Sequence, residues 1–229
     1  MTAVAALLQH NTSGIITRAE DSIERPKDLE GYTYSTWNSP IELATMQQVV
    51  EADGGDFSKV DLIPNNIVDE AGALKEHQTD AIWIYYGWGG ISAELQGLDF
   101  NYFYFKDLDP VFDYYTPVII ANNDFLAEHP DTAKAFLSAT AKGYEYAIAH
   151  PEEAAQMLIE SDTTGSLKDS AELVTASQKW MADQYQAEAE RWGYIDPSRW
   201  NAFYRWLSDN NLVEQPIPEN TGFSNDYLA

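Results

Sequence analysis

Three stretches carry side chains able to recognise a ligand, each at a place where a loop should follow a strand. The first is Trp37-Asn38-Ser39 with Glu42. Ser39 can cap a helix, Pro40 suits its first position, and Glu42 completes a capping box. Backbone N–H groups and the helix dipole at that end favour an anionic or strongly accepting ligand group. The competing reading is a plain cap in which Ser39 and Glu42 satisfy each other. The second stretch is Tyr85-Tyr86-Gly87-Trp88-Gly89-Gly90. Glycines let backbone approach a ligand, and flat aromatic side chains stack on a flat heterocycle. Tyr86 and Trp88, at the end of their strand, are the stacking candidates; core packing is the alternative. By alternation Trp83 and Tyr85 share one sheet face, and Ile82, Ile84 and Tyr86 the other. The third stretch is His10-Asn11, which ends the first strand and could hydrogen-bond ring nitrogens. Tyr114 and Tyr115 precede a return crossover, and Tyr115 is a further candidate for lining a cleft. Asn65 and Asn66 follow Pro64 and are explained equally well as a turn.

No constellation for covalent or metal chemistry accompanies them. The 229 residues include no cysteine, which removes disulfides, thiolate catalysis and Cys-ligated metal centres. There is no HExxH, P-loop, GxSxG, or GxGxxG in its required context. His77, His129 and His150 fall at expected helix ends, and Glu152/Glu153 on a solvated face. No catalytic residue, metal ligand or cofactor is expected. The formal net charge is −24 and the apolar share 45%. That share supports a packed core. The charge repels phosphate backbones, so nucleic acid is not an expected partner, and it opposes a basic membrane anchor.

The elements that must position these residues alternate in the first half. Residues 2–9 and 14–18 read as strands and 26–31 as a turn-rich link. Residues 32–35 form a strand, and a helix runs from Ser39 to about Ala52, stopping at Asp53-Gly54-Gly55. Strands are expected at 60–63, 79–86, 100–105 and 116–121, with helices at 67–76 and 91–96. The second half is helical: 131–149, with Ala133, Phe136, Leu137, Thr140, Tyr144, Ala147 and Ile148 in one stripe, then 151–159, 168–190, and a helix begun by Asp196-Pro197. Alternation of this kind implies an α/β fold with mostly parallel sheets, in which ligands sit beyond the carboxyl ends of strands.

At those strand ends the chain resembles the thiamine-pyrimidine group of type II periplasmic binding proteins, the solute-binding components of ABC importers. The matching stretches are LLQHNTSGIITR (7–18), RPKDLEGYTYSTWNSPIE (25–42), TDAIWIYYGWGGISAELQG (79–97), TPVIIANNDFLAEHP (116–130), KAFLSATAKGYEYAIAHPEEAA (134–155) and WGYIDPSRWNAFYRWL (192–207). They cover most of the chain in the expected order. The resemblance implies two lobes joined by two crossovers that close on a ligand. Lobe two would span 14–113, and lobe one 1–13 with 114–229. Family members carry roughly a further third of a lobe before the strand at Thr2, so an N-terminal truncation that leaves lobe one incomplete is expected. Members often have an acidic residue where Gly89 stands, a departure that bears on ligand choice.

The function implied is capture of a thiamine pyrimidine precursor of the formylaminopyrimidine or hydroxymethylpyrimidine type. The expected ligand contacts are Trp37, Asn38, Ser39, Glu42, Tyr86, Trp88, His10, Asn11 and Tyr115. Riboflavin or another small nutrient such as an alkylsulfonate is the alternative ligand. The partner would be an ABC permease, the protein a monomer, and its location outside the cytoplasmic membrane, with the export signal not in this chain. A second class is an enzyme. The same fold hosts a eukaryotic pyrimidine synthase that consumes its own histidine and pyridoxal phosphate and uses a cysteine-rich motif with iron. The absence of cysteine, and of any lysine in 79–97, counts against it. A third class, a sensor domain, would call for a fused membrane segment.

Overall fold

The computed structural model describes residues 1–64 and 67–228; Asn65 and Asn66 lie outside the described residues. The chain divides into two compact units. One comprises Met1–Asn11, Tyr114–Arg205 and Pro216–Ala229, the other Thr12–Asp113 and Trp206–Gln215.

The second unit is built on a five-stranded sheet of order β4-β3-β5-β2-β6. Its strands are β2 (Ser13–Arg18), β3 (Thr33–Thr36), β4 (Asp61–Pro64), β5 (Ala81–Tyr85) and β6 (Phe100–Tyr104). The class is α/β as expected, but strand direction is more mixed than simple alternation implies. β3 runs parallel to β4 and β5, whereas β2 runs antiparallel to both β5 and β6. The reason is connection. A strand reached through a helical crossover returns parallel, while β2 arrives from the first unit without one. The register sets Ser13 opposite Tyr85 and Gly14 opposite Tyr104. The start of β2 and the ends of β3, β5 and β6 therefore lie at one end of the sheet.

Four helices pack around this sheet: α1 (Pro40–Ala52), α2 (Glu70–Lys75), α3 (Ile91–Leu95) and α4 (Phe105–Leu108). α1 starts and stops where its cap and glycines dictate, with Gly54 at φ +86° just beyond its end. Ile16, Leu74, Ile82 and Ile84 form a core with Ala71, Ala73 and Ala93. One buried cation ties sheet to helix. The Arg18 guanidinium donates to the carbonyls of Leu74 (2.7 Å) and Thr79 (2.8 Å) and to Asp80 (2.5 Å). Asp80 also accepts from the Thr33 N–H and hydroxyl at 2.8 and 2.7 Å. Burial would raise the Asp80 pKa, but the hydrogen bonds from Thr33 and Arg18 outweigh it and hold the carboxyl below its ordinary value. Residues 206–215, expected with lobe one, belong to this unit. Trp206 packs edge-on against Phe112, with ring centroids 5.0 Å apart, and donates to Gln48 at 2.5 Å.

In the first unit β1 (Thr2–Ala6) and β7 (Val118–Ala121) pair antiparallel. Around them lie α5 (Asn123–Glu128), α6 (Pro130–Ala149), α7 (Pro151–Ser161), α8 (Ser166–Asp169), α9 (Ala171–Tyr185) and the first part of α10 (Pro197–Asp209). β1 is shorter than the expected 2–9, and α9 stops well before residue 190. α6 runs over the expected span, with Ala133 and Leu137 buried against Val4, Ala5, Leu126 and Trp192, but Phe136 of the predicted stripe is 60% exposed. α5 was not expected from the pattern; Asn122 caps it by accepting from the N–H groups of Asp124 and Phe125.

Two stability outcomes follow. A methyl group at Gly14 would overlap the Phe103 carbonyl oxygen and approach Tyr102 Cζ to 2.8 Å. Gly14→Ala should therefore lower unfolding free energy by about 1–3 kcal/mol, the cost of overpacking; an unchanged urea midpoint would contradict that packing. Because the folded Asp80 pKa lies below its unfolded value near 3.8, its contribution is present above that value and lost as pH falls through the folded one. The stability of Asp80→Asn should accordingly fall less steeply with acidification than that of the parent chain. Parallel curves would remove Asp80 from the account.

Candidate functional site

Trp37, Asn38 and Ser39 form the loop between β3 and α1, and Glu42 fixes it from below. Glu42 is 1% exposed. Its Oε1 accepts from the Tyr34 hydroxyl at 2.8 Å and the Trp37 N–H at 3.4 Å. Its Oε2 accepts from the Thr36 hydroxyl at 2.9 Å and the Ser39 N–H at 3.2 Å. A carboxylate has about four acceptor positions, and four protein donors fill them. Glu42 thus anchors the loop rather than facing a ligand, a correction to its expected role as a contact. The Asn38 N–H is also used, donating to Thr36 Oγ1 at 2.9 Å. The loop amides at this helix start are consumed internally beside a buried carboxylate. The anionic ligand group expected there is disfavoured. Burial, reinforced by Glu42, pushes the Tyr34 hydroxyl well above its ordinary pKa, so it stays a donor.

The loop presents Trp37 outward, 50% exposed, with its ring edge-on to Trp83 at 5.4 Å. Trp83 in turn lies 4.0 Å from Phe105, centroid to centroid. Asn38, at φ +58°, is exposed and Ser39 half-buried.

β5 ends in a wide π-helical turn, Tyr86–Gly90, that leads into α3. Trp88 projects from it, 47% exposed, and Tyr85 just before it is 45% exposed. Tyr86 behaves differently from the expectation of a stacking face. Its ring packs among Tyr102 (5.1 Å), Tyr104 (5.6 Å) and Phe100 (6.4 Å), and its hydroxyl donates to Glu94. Burial and then Glu94 raise its pKa. Tyr86 is a supporting member of an aromatic cluster, and its neighbour Tyr85 is the exposed one. A Cβ at Gly90 would meet the Tyr86 ring at 2.7 Å, so glycine is what lets the turn close over that ring. At Gly89 a Cβ would sit 3.1 Å from the Ile84 side chain. An acidic side chain there would need Ile84 to give way.

Sequence reasoning did not single out β6. Tyr102 donates to the carbonyls of Thr12 and Ile84, both at 3.0 Å, tying the start of β2 to β5. Tyr104 stands 4.6 Å from Tyr102, and its pKa is pushed up to about 12, by burial first and then by Asp107 and Glu94. The run of aromatics in 100–105 was the available signal, but strand propensity alone explains such a run.

His10, Asn11 and Tyr115 belong to the first unit. Asn11 is buried. His10 Nε2 lies 2.8 Å from Glu188 Oε2, and Glu188 Oε1 lies 3.4 Å from the Arg199 guanidinium. Burial would raise the Glu188 pKa, yet these partners lower it overall. Arg199 also donates to the Gln9 carbonyl and stands over the Tyr115 ring at 5.2 Å. Tyr115 accepts from the Asp196 N–H at 2.9 Å. Gln9, Tyr115, Glu188, Arg191, Tyr194 and Arg199 line a polar cavity of about 730 Å³, and neither His10 nor Asn11 is among its lining residues. Glu188 and Arg199 carried no sequence signal, being more than 170 residues from His10. Among the described residues one further group of potential metal ligands, Glu20, Asp21 and His77, comes together, and Arg18 stands 2.6 Å from Asp21 and 3.9 Å from Glu20, so both carboxylates already have a counter-charge.

Comparison with known proteins adds the family. A 25% identical relative is the formylaminopyrimidine-binding protein of Halalkalibacterium halodurans, matched over 97% of this chain and 67% of that protein. The 4-amino-5-hydroxymethyl-2-methylpyrimidine phosphate synthase of Candida albicans is 28% identical over 50% of this chain and 31% of that protein. In structure the chain is similar to the periplasmic aliphatic sulphonate binding protein SsuA of Escherichia coli, with a TM-score of 0.68 at 12% identity over 94% of this chain and 66% of that one; at that identity the likeness shows the fold. The model of the family described as "NMT1/THI5 like" matches residues 1–154, and the chain belongs to that family.

Proposed function

We propose that this chain is the substrate-binding component of an ABC importer, and that its ligand is a thiamine pyrimidine precursor of the formylaminopyrimidine or hydroxymethylpyrimidine type. One observation carries the reading: at one end of the sheet in the second unit, Trp37, Tyr85 and Trp88 hold large aromatic surfaces open to solvent on a scaffold fixed by Glu42 and the Tyr86 cluster. Rigid, exposed aromatics at strand ends suit a flat ring, and they cost apolar exposure that a purely structural role would avoid. The matched binding-protein relative supports the same ligand class.

Capture requires recognition alone, with no nucleophile, base or metal, and the reading is accordingly of a carrier and not an enzyme. The synthase relative matches only half of the chain, and a cysteine-dependent chemistry has no cysteine to use. Ligand binding then need only favour one of two conformations for a permease to distinguish loaded from empty protein. The proposed partners are that permease and the heterocycle, the protein acting as a monomer outside the cytoplasmic membrane without nucleic acid. No helix among the described residues is long and apolar enough to cross a membrane. The alkylsulfonate alternative draws on fold likeness. It is disfavoured by the Trp37–Ser39 loop, where Glu42 and Thr36 take the amides a sulfonate would need. Riboflavin, also flat, stays as the second heterocycle.

Thermal-shift and calorimetric titration with a formylaminopyrimidine, a hydroxymethylpyrimidine, riboflavin and an alkylsulfonate tests the assignment. A pyrimidine should raise the midpoint most; stabilisation by the sulfonate alone would contradict it. Trp88→Ala should weaken pyrimidine binding by about 1–3 kcal/mol, the scale of one aromatic side chain stacked on a planar base, with little change in unfolding midpoint. Unchanged affinity would remove Trp88 from the site.

A further inference from the structure

The polar cavity of the first unit contains an acceptor that the protein itself does not use. Gln9, one of its lining residues, is 2% exposed. The Gln9 backbone is engaged, its N–H with the Gln184 carbonyl at 3.1 Å and its carbonyl with Arg199. In the side chain Nε2 donates to the Tyr194 carbonyl at 3.0 Å. That carbonyl fixes which end of the amide is the NH2 group, so the other end, Oε1, is an acceptor. Among the described residues nothing donates to Oε1, and the atom is not sealed inside the protein. A polar atom on so buried a side chain calls for a donor, and the cavity is where that donor can stand.

The charges around it point the same way. Glu188, Glu190 and Asp196 line the cavity against two guanidiniums, Arg191 and Arg199, so negative charge is in excess. Arg199 is committed to the Gln9 carbonyl, to Glu188 and to the face of Tyr115. The start of α10 would favour an anion, but Asp196 already sits there and accepts from the Arg199 N–H at 2.9 Å. A metal ion is the wrong size for this excess. Among the described residues the potential metal ligands that gather closely enough are Glu20, Asp21 and His77, so the cavity's carboxylates are too widely spread. A volume of about 730 Å³ is that of a small-molecule site.

We propose that this cavity binds a small organic cation with several N–H donors, of the amidinium or guanidinium class, which donates to Gln9 Oε1 while Glu188, Glu190 and Asp196 balance its charge. Such a cation spreads its donors over a plane, as the separated acceptors require. The inference does not rest on the heterocycle reading, since the cavity includes none of Trp37, Tyr85 and Trp88.

The test titrates the nitrogen-15-labelled chain with agmatine and with benzamidine, benzamide and benzoate, which share a shape and differ in charge. Calorimetry reads affinity, and the side-chain amide resonances of Gln9 read the place. Agmatine and benzamidine should bind at millimolar concentration or below and shift the Gln9 amide, with benzamide at least tenfold weaker and benzoate weaker still. Glu190 is exposed and makes no ion pair among the described residues. Glu190→Gln should therefore keep the parent's melting midpoint and weaken benzamidine about threefold, the scale of one exposed charge. Gln9→Met, close in volume, should weaken it further; should that variant melt early, Glu190→Gln decides. Preference for benzoate over benzamidine would overturn the proposal, as would a Gln9 amide unmoved by both cations or affinity unchanged in Glu190→Gln. Benzamidine shifts confined to the indole groups of Trp37 and Trp88 would overturn it as well. Benzamidine contains no pyrimidine, so these outcomes stand apart from the fate of the heterocycle assignment.

Discussion

A carboxylate withdrawn from water decides the shape of the candidate binding surface. Glu42 is buried among four donors from Tyr34, Thr36, Trp37 and Ser39. A carboxyl group in that position is tolerable only because its acceptor positions are filled. Each donor comes from the end of β3 or from the loop beyond it. Satisfying the charge therefore fixes the chain path from strand to helix and sets Trp37 outward over Trp83. Any other path for the loop would leave buried acceptor atoms of Glu42 without partners.

The same economy organises the neighbouring loop. The glycines after Tyr86 admit a π-helical turn that closes over the Tyr86 ring, where a Cβ at Gly90 would clash. Tyr102 fastens the start of β2 to β5 through two carbonyls. Tyr86 and Tyr102 spend their hydroxyls on the scaffold, and Tyr85 and Trp88 are left to solvent.

Much of this was legible in the sequence. Ser39-Pro40 with Glu42 fixed the start of α1 because capping is local chemistry, and the Ala133–Leu137 stripe fixed α6 for the same reason. Trp37 and Trp88 were legible as candidates from their positions after strands. What was not legible was tertiary. The saturation of Glu42 depends on Tyr34 across the strand, and the partners of His10 lie far along the chain at Glu188. The direction of β2 depends on which neighbours it meets. Tyr86 rather than Tyr85 reads as the stacking candidate because alternation assigns faces and says nothing about where the sheet ends.

In the proposed complex a flat heterocycle lies on Trp37 and Trp88. The chain has seven tryptophans, among them Trp192 and Trp200, which sit in the core of the first unit at 2% and 7% exposure. Nitrogen-15 correlation spectra of the indole N–H groups during titration with a formylaminopyrimidine separate them. The resonances of Trp37 and Trp88 should shift with the binding isotherm while those of Trp192 and Trp200 stay in place. Saturable binding that leaves both Trp37 and Trp88 unmoved would contradict the account.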